Sequence, residues 1–391
     1  MTAAPETRRR PGTRPARSGS PQKPPLKVLH VITGLGIGGA EEQLRLLVPH
    51  LREVTAGVVT LTNPGPVADA LRADGVPVVH LGMRGNRDLT ALPRLVRLIR
   101  RGGFDVVHTH LYRACLYGRI AARLAGVRTV VATEHSLGAA QIEGRPLSAG
   151  ARALYLAGER LGTTTVAVSG TVARRLAEWG VPPSRVRVVP NGIDAARFAF
   201  DAGARQSARQ RLGLAPDAYV VGGVGRLVPG KRFDTLIRAV APLPPGVRLL
   251  LVGEGEERAR LERVAGECGA AGRVVWAGAV SRGLPELLSA MDVFVSASAD
   301  EAFGLAVVEA LAAGLPVLYA ACPALDDLPP GRAPGARRTG GTAAELTAAL
   351  RAAYAARGGP RLPVPEAVRH YDIARSARQL MSLYHEASER R

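Results

Sequence analysis

Residues 27–51 read KVLHVITGLGIGGAEEQLRLLVPHL. The first seven residues form an apolar, strand-like run, glycines follow, and Glu41–Leu51 has helical spacing. The same order of short apolar strand, turn and helix recurs down the chain, and this alternation predicts parallel sheets covered by helices on both faces. The rhythm pauses over residues 195–217 and restarts at Tyr219, so the sequence predicts two α/β units.

The predicted fold class is therefore α/β, with two Rossmann-like, doubly wound parallel-sheet domains that face a central cleft. Ligands of such sheets bind outside the carboxyl ends of the strands, where the strand order reverses. The predicted division is a disordered basic tail (1–25), an N-terminal domain (26–194), a linker (195–217), a C-terminal domain (218–365) and a C-terminal helix (366–391) packing back toward the N-terminal domain.

The formal net charge of +19 points to an anionic partner: a nucleic acid, a phosphate-rich ligand or an acidic membrane surface. Aromatic content is only 4%, and no zinc-finger, homeodomain or RNP pattern is present, so no nucleic-acid partner is expected. The cysteines Cys115, Cys268 and Cys322 lack metal-ligand spacing, which favours a reduced, cytoplasmic location. The apolar stretch 303–322 is interrupted by Glu309, Gly314 and Pro316 and is predicted to be a core segment.

Two glycine-rich loops nearly match other nucleotide-binding motifs. Gly34, Gly36 and Gly39 fit a dinucleotide fingerprint, but the next strand ends in Thr62-Asn63 without the acidic residue that would hold a ribose. What remains is a helix N-terminus that faces an anion.

The loop GRLVPGKR (225–232) resembles a P-loop, but Arg232 replaces the Mg²⁺-binding Ser or Thr and Pro229 removes a backbone donor. Arg226 and Lys231 remain as two cations suited to a departing diphosphate. An ordinary basic surface loop is the alternative.

The segment DEAFGLAVVEA (300–310) places Glu301 and Glu309 eight residues apart in small, apolar surroundings. A buried carboxylate is costly unless it is hydrogen-bonded, and a ribose diol can provide those bonds to Glu309. A salt bridge within its own lobe is the alternative. His108 and His110 alternate along a strand and share a face, but two ligands do not make a metal site, so no metal is expected.

Together these segments resemble the retaining GT-B glycosyltransferases of family 4 over most of residues 27–320. The segments that carry the resemblance are GLGIGGAE (34–41), DVVHTH (105–110), VS (168–169) with VPNGID (189–194), GR (225–226) with Lys231, GEG (253–255), and Glu301 with Glu309.

The resemblance implies an enzyme, a hexosyltransferase that moves a sugar from a nucleoside-diphosphate sugar to a sugar or lipid-linked acceptor with retention of configuration and without metal or cofactor. The leaving phosphate is expected to help deprotonate the acceptor. The implied catalytic residues are His135, Arg226, Lys231 and Glu301. The implied donor-binding residues are Gly38, Gly39, Arg226, Lys231, Glu301, Phe303, Gly304, Leu305 and Glu309. The acceptor-side candidates are His110, Arg113 and Glu134.

One segment departs from the family pattern. After Gly314-Leu315-Pro316-Val317 the family often continues into a Gly-rich loop and a Glu, whereas this chain continues YAACPALDD (319–327). The donor sugar and its base therefore stay open.

The helix containing RLVRLIRR (94–101) carries Arg94, Arg97, Arg100 and Arg101, and Arg113, Arg119 and Arg123 extend the basic patch. A basic amphipathic helix can rest on an anionic bilayer, which would suit envelope polysaccharide or glycolipid synthesis on the inner face of the cell membrane. The alternative is a helix that covers the N-terminal sheet with a solvated basic face. Other functions left open are a catalytically silent nucleotide-sugar-binding partner, a basic nucleic-acid-binding protein and, within the same fold, a phosphorylase or sugar epimerase.

Overall fold

The structure is a computed structural model that describes residues 24–85, 88–138, 141–142, 145–146 and 148–389. Residues 1–23 of the predicted basic tail lie outside the described residues, and so does the end of the chain from residue 390.

The N-terminal lobe is built on a seven-stranded parallel sheet of order β3-β2-β1-β4-β5-β8-β9, and a separate two-residue hairpin, β6–β7, lies apart from it. The strands in chain order are β1 Leu26–Gly34, β2 Val54–Asn63, β3 Val78–His80, β4 Val106–His110, β5 Thr129–Glu134, β6 Gln141–Ile142, β7 Arg145–Pro146, β8 Thr164–Ala167 and β9 Val186–Val188.

Helices cover both faces of this sheet, as the sequence predicted. They are α1 Gly39–Leu47, α2 Gly65–Ala73, α3 Ala91–Gly102, α4 Tyr112–Ala125, α5 Ala149–Glu159 and α6 Gly170–Trp179. Because successive strand residues point to opposite faces, Leu29 and Val31 of β1 pack in the core beneath α3 and α4, while Val28 and Ile32 pack on the other face.

The C-terminal lobe repeats the plan with a six-stranded parallel sheet of order β12-β11-β10-β13-β14-β15. Its strands are β10 Tyr219–Val224, β11 Val247–Val252, β12 Val274–Gly278, β13 Val293–Ser296, β14 Val317–Tyr319 and β15 Ala336–Arg338. Strand order reverses beside β1 in one lobe and beside β10 in the other, which places a ligand crevice at the carboxyl ends of both strands.

The remaining helices follow the stretch that the sequence suggested as a linker. They are α7 Ala202–Arg211, α8 Phe233–Val240, α9 Arg258–Glu267, α10 Leu284–Ala290, α11 Leu305–Ala312, α12 Pro323–Asp326, α13 Ala343–Ala355, α14 Glu366–His370 and α15 Ile373–Glu389.

Most of that stretch, 195–217, is structured. Helix α7 packs against α10, and Arg205 and Arg209 pair with Asp292 at 2.6 and 2.8 Å. The Ala/Arg-rich sequence shows no strand pattern because it forms a helix, and this helix belongs to the C-terminal lobe.

The chain crosses between the lobes twice, and the two crossings are paired. Ile193 donates its N–H to the Tyr371 carbonyl at 2.7 Å, and Ile373 donates its N–H to the Ile193 carbonyl at 3.0 Å. After the second crossing, α15 lies on the N-terminal sheet, where Leu380 and Tyr384 are buried in one cluster with strand valines.

The basic helix α3 covers the N-terminal sheet. Leu95 and Ile99 are buried in the core of that lobe, so the apolar face is not available to a bilayer. Arg94 donates to the Leu81 carbonyl at 2.9 Å, and Arg100 donates to the Leu124 carbonyl at 2.6 Å. Among the helices of the described residues, none is both long enough and apolar enough to span a membrane.

Candidate active site

The glycine loop after β1 brings the start of α1 to the cleft. Gly38 caps the helix in an extended conformation, and a Cβ at that position would collide with the Glu41 carboxylate. Gly38 has no side chain with which to cap α1, so the first turn of the helix presents its backbone N–H groups at the cleft, where an anion can bind. A Cβ on Gly39 would lie 3.4 Å from Cδ1 of Leu305, which puts the first turns of α1 and α11 face to face across the cleft.

The loop after β10 carries the predicted cations. Its P-loop-like sequence forms only a single 3₁₀ turn, Pro229–Lys231, and Arg232 then adopts a left-handed conformation at φ 52° before α8 begins. The Lys231 Nζ lies 2.5 Å from Oε1 of Glu301. Residues from the loops after β10 and β13 therefore meet, although 70 positions separate them.

The start of α11 depends on a glycine. Gly304 is the N-cap at φ +101°, and a Cβ there would lie 2.6 Å from Cys322 Sγ. Phe303 is only 3% exposed and packs edge-on against Tyr371, with ring centroids 5.0 Å apart. The Phe303 side chain thus anchors the loop in the core, so any contact of residue 303 with a donor must be made by its backbone.

Glu309 is a half-buried carboxylate whose charge is poorly compensated. Among the described residues it makes no hydrogen bond and no ion pair. Burial and, secondarily, the Glu42 carboxylate raise its pKa from 4.5 to about 7, against a smaller opposing effect of Arg197. A perturbed carboxyl group in a cleft is a typical feature of a functional site, and an arriving diol would supply the missing donors.

A chain of imidazoles lies under the same end of the N-terminal sheet. His135 Nε2 is 3.1 Å from His110 Nδ1, and His110 Nε2 is 3.1 Å from His30 Nδ1. The outer nitrogens, His135 Nδ1 and His30 Nε2, are buried without a partner among the described residues. Burial lowers the pKa of His135 to about 4 and that of His30 to about 3, and it also holds that of His110 well below 6.5. All three rings are therefore neutral at pH 7.

The sequence did not indicate His30 as part of the site, because its position depends on how β1 pairs with β4. In the sheet, His30 lies opposite His108. The nitrogens of His30, His108 and His110 lie within 4.8 Å of one another, close enough to hold a metal ion. However, both nitrogens of His108 already face hydroxyl groups, those of Tyr384 at 2.6 Å and Thr133 at 2.7 Å. A metal ion would have to displace these hydrogen bonds as well as the one between His30 and His110.

The acceptor-side candidates are not brought together as predicted. His110 is 1% exposed and lies in the middle of the histidine chain, between His135 and His30. Glu134 is 2% exposed and accepts a hydrogen bond from the Tyr155 hydroxyl at 2.8 Å. Glu134 is thus an interior residue, contrary to its predicted place. Arg113 is half-buried, and its Nε has no partner among the described residues.

Arg119 is also placed differently from the prediction of a surface patch. It is fully buried, with its guanidinium 5.3 Å from the centre of the Tyr155 ring. It therefore adds nothing to a basic surface.

Contacts between the lobes hold the Glu301 loop, and sequence reasoning missed them. Ser169 Oγ donates to the Ala302 carbonyl at 2.7 Å, and Arg175 donates to the Glu301 carbonyl at 3.2 Å and pairs with Asp300. Both side chains come from the first turns of α6 in the other lobe. The carboxylate proposed to touch the sugar is thus positioned from across the cleft.

Two doubly wound lobes with glycine-rich loops on both sides of a cleft define the GT-B type of glycosyltransferase. Residues 37–197 match the model described as Glycosyltransferase Family 4, and residues 204–328 match that described as Glycosyl transferases group 1. The chain belongs to glycosyltransferase family 4, which confirms the family predicted from the sequence.

Similar proteins support this assignment. A GDP-mannose-dependent alpha-mannosyltransferase of Mycobacterium tuberculosis is 34% identical over 72% of this chain and 75% of its own length. The UDP-Gal:alpha-D-GlcNAc-diphosphoundecaprenol alpha-1,3-galactosyltransferase of Escherichia coli is 30% identical over 64% of this chain and 66% of its own length. Matches to the first curated relatives span from 52% to 75% of their length.

Among solved structures, that of Anabaena Alr3699/HepE in complex with UDP-glucose has a TM-score of 0.79 at 23% identity, covering 92% of this chain and 100% of that chain. This likeness shows the GT-B fold.

Proposed function

We propose that the protein is a retaining hexosyltransferase that moves a sugar from a nucleoside-diphosphate sugar to a sugar or lipid-linked acceptor. The observation that carries the proposal is the convergence of Lys231 and Glu301, 2.5 Å apart, in the loop that leads into α11, whose Leu305 faces Gly39 at the start of α1. This arrangement offers cations and N–H groups to a diphosphate and a carboxylate to sugar hydroxyls.

In the proposed complex, Arg226, Lys231 and the backbone at Gly38 and Gly39 bind the diphosphate, and Glu309 accepts hydrogen bonds from the ribose hydroxyls. Lys231 exchanges part of its contact with Glu301 for phosphate, which frees Glu301 to bind the transferred sugar. Fixed positive groups gain in effect as the diphosphate gains charge during bond breakage.

The reaction breaks the bond between the anomeric carbon and the phosphate oxygen and forms one to the acceptor oxygen on the same face. The acceptor hydroxyl proton passes to the departing phosphate oxygen. His135 is neutral at pH 7, because burial lowers its pKa to about 4, and its unpartnered Nδ1 is available to a hydroxyl of the reacting sugar. The two cations take the part that a divalent metal plays elsewhere, so the proposed reaction needs neither metal nor cofactor.

The acceptor side rests on similarity. The E. coli relative is named for a diphosphoundecaprenol acceptor, which supports a lipid-linked acceptor and a role in envelope polysaccharide or glycolipid synthesis. The proposed location is the cytoplasm, with peripheral contact to the inner face of the membrane. Arg97, Arg100 and Arg101 are exposed on α3 and can contribute electrostatic attraction to anionic lipid.

The first experiment measures thermal stabilisation of the parent, Lys231→Ala and Glu309→Ala by UDP, GDP, ADP, TDP and NAD⁺. A ligand at 100 times its Kd adds about 2.7 kcal/mol. Stabilisation of the parent by one nucleoside diphosphate, lost in both variants, is the expected result and identifies the base. Stabilisation by NAD⁺ alone would overturn the proposal.

Incubating the enzyme with the donor of that base and membrane lipid extract tests transfer, and NMR of the product's anomeric proton tests retention. A silent partner subunit would bind the nucleotide without releasing it from the donor in any extract. Donor turnover without an acceptor would indicate an epimerase or hydrolase.

A further inference from the structure

Gln43 on α1 holds the connection between the lobes with both ends of its side-chain amide. Its Nε2 donates to the Gly192 carbonyl at 2.6 Å, and its Oε1 accepts from the Gly192 N–H at 2.7 Å. The side chain is only 7% exposed, and the two residues are 149 positions apart. A paired amide contact of this kind fixes orientation as well as distance.

Gly192 lies where the two crossings touch. A Cβ at Gly192 would lie 2.5 Å from Ile373 Cα, so only glycine fits. The adjoining residue Ile193 is hydrogen-bonded to the second crossing on both sides, at Tyr371 and Ile373. Within the described residues these two crossings are the covalent connections between the lobes, so a change in the angle between the lobes must act on these few backbone groups.

The same helix reaches the proposed donor site at its other end. Gln43 lies four residues after Gly39, about 6 Å along the helix axis. Gly39 is the position at which α1 meets Leu305 of the opposite lobe. A single short helix thus joins the hinge backbone to the groups that face the diphosphate.

We propose that Gln43 is a positioning residue that couples the angle between the lobes to donor binding at the start of α1. This inference rests on the proposed function, since it concerns binding of a nucleoside diphosphate. The Gln43 contact holds the two crossings at the angle between the lobes at which α1 and α11 both contact the diphosphate. Without this contact, the lobes can adopt other angles. The distance between the start of α1 and the start of α11, which form the two sides of the donor site, is then no longer fixed.

A cavity lies beside the contact between Gln43 and Gly192. Its volume is about 30 Å³, and its lining includes Gln43, Asn191, His110, His135 and Ser376. A cavity needs only about 10–15 Å³ to hold a water molecule when polar partners are present. Water can therefore satisfy Gly192 after truncation of Gln43, and Gln43→Ala is expected to fold with altered hinge geometry.

The test compares the parent, Gln43→Ala, Gln43→Glu and the exposed control Gln206→Ala. Gln43→Glu keeps the volume and the bond from the Gly192 N–H but loses the bond to its carbonyl, so it guards against misfolding of the alanine variant. Calorimetry with UDP and GDP, well below the melting temperature, gives affinity, and small-angle scattering gives compaction on binding.

We expect both Gln43 variants to bind the nucleotide at least tenfold more weakly, which is about 1.4 kcal/mol, with less compaction than the parent. Gln206→Ala should match the parent. A lower melting temperature with unchanged affinity and compaction would mean that Gln43 only stabilises the fold, and it would overturn this inference alone. If the parent binds neither UDP nor GDP, nor any other nucleoside diphosphate, the proposed function fails as well.

Discussion

Replacing Glu309 by Gln should stabilise the unliganded protein at alkaline pH while it weakens donor binding. The carboxyl group has its pKa raised from 4.5 to about 7 in the folded state. The folded protein therefore binds more protons than the unfolded chain between these two values, so this group lowers stability as the pH rises from 4.5 through 7. Above pH 7 the ionised carboxylate carries the whole penalty.

The size of the penalty follows from the pKa. Each unit of difference corresponds to about 1.4 kcal/mol, so the rise to about 7 gives about 3 kcal/mol, which partial exposure to the cleft reduces to about 2 kcal/mol. At pH 5 most of the penalty is absent, because the folded protein keeps the proton. Glu309→Gln should therefore raise the free energy of unfolding by about 2 kcal/mol at pH 8.5 and by less than about 1 kcal/mol at pH 5.

Urea unfolding of the parent and Glu309→Gln at both pH values measures this difference directly. The control is Glu178→Gln, which removes an exposed carboxylate of α6 and should change little at either pH. A Glu309→Gln variant that is less stable than the parent at pH 8.5, or whose effect is the same at both pH values, would refute the reasoning. Either result would mean that Glu309 is already satisfied in the free protein.

The other predictions concern protons, lobe contacts and metal. Nucleotide affinity of the parent should fall as the pH drops below about 7, where Glu309 takes up a proton, and calorimetry should find no such step in Glu309→Gln. The buried histidines have folded-state pKa values below 6.5, about 4 for His135 and about 3 for His30, so stability should be lost as the pH falls below 6.5 toward these values. Because Glu309 acts in the opposite direction over this range, the test uses Glu309→Gln, and unfolding curves of this variant that are flat from pH 7 to 4 would contradict the prediction. Arg175→Ala removes the ion pair with Asp300 and the hydrogen bond to the Glu301 carbonyl, and it should lower donor turnover at least tenfold, whereas the exposed Arg174→Ala should retain most of the parent's turnover in the same assay. Dialysis against EDTA should leave activity unchanged, and bound metal detected by elemental analysis together with lost activity would instead assign a metal to His30, His108 and His110.

The repeating pattern of apolar strands and helices was enough to predict both sheets, because each strand is a short buried run followed by a turn. The strand-like run predicted over residues 27–33 is β1, Leu26–Gly34. The prediction of a linker was wrong over Ala202–Arg211, which form a helix. The absence of a strand pattern does not distinguish a loop from a helix, and this helix is held by arginine side chains that donate hydrogen bonds to backbone carbonyls at the end of α10. Which lobe such a helix joins depends on contacts that no local pattern contains.

The site shows the same division between local and distant information. Lys231 and Glu301 could be predicted because glycine loops and strand ends place them at the cleft. Glu134 adjoins His135, but neighbours along an extended strand point to opposite faces, and Glu134 is buried against Tyr155. Arg175 could not be predicted at all, since its contact with Glu301 spans 126 positions and joins the two lobes.

The unpartnered groups of the site share one energetic property. Glu309 has no donor among the described residues, and His135 Nδ1 and His30 Nε2 are buried without partners. Such groups cost stability in the free protein. These unpaired groups benefit the protein only if a ligand supplies the hydrogen bonds that they lack. A ribose diol at Glu309 and a sugar hydroxyl at His135 would supply these hydrogen bonds, and donor binding would then be strengthened by the free energy that the unpaired groups cost the free protein. His30 lies deeper and cannot be satisfied this way. His30→Phe removes the unpaired nitrogen but also the hydrogen bond to His110 Nε2, so it should leave the melting temperature close to that of the parent and nucleotide affinity unchanged, whereas a loss of affinity would show that the whole histidine chain orients His135.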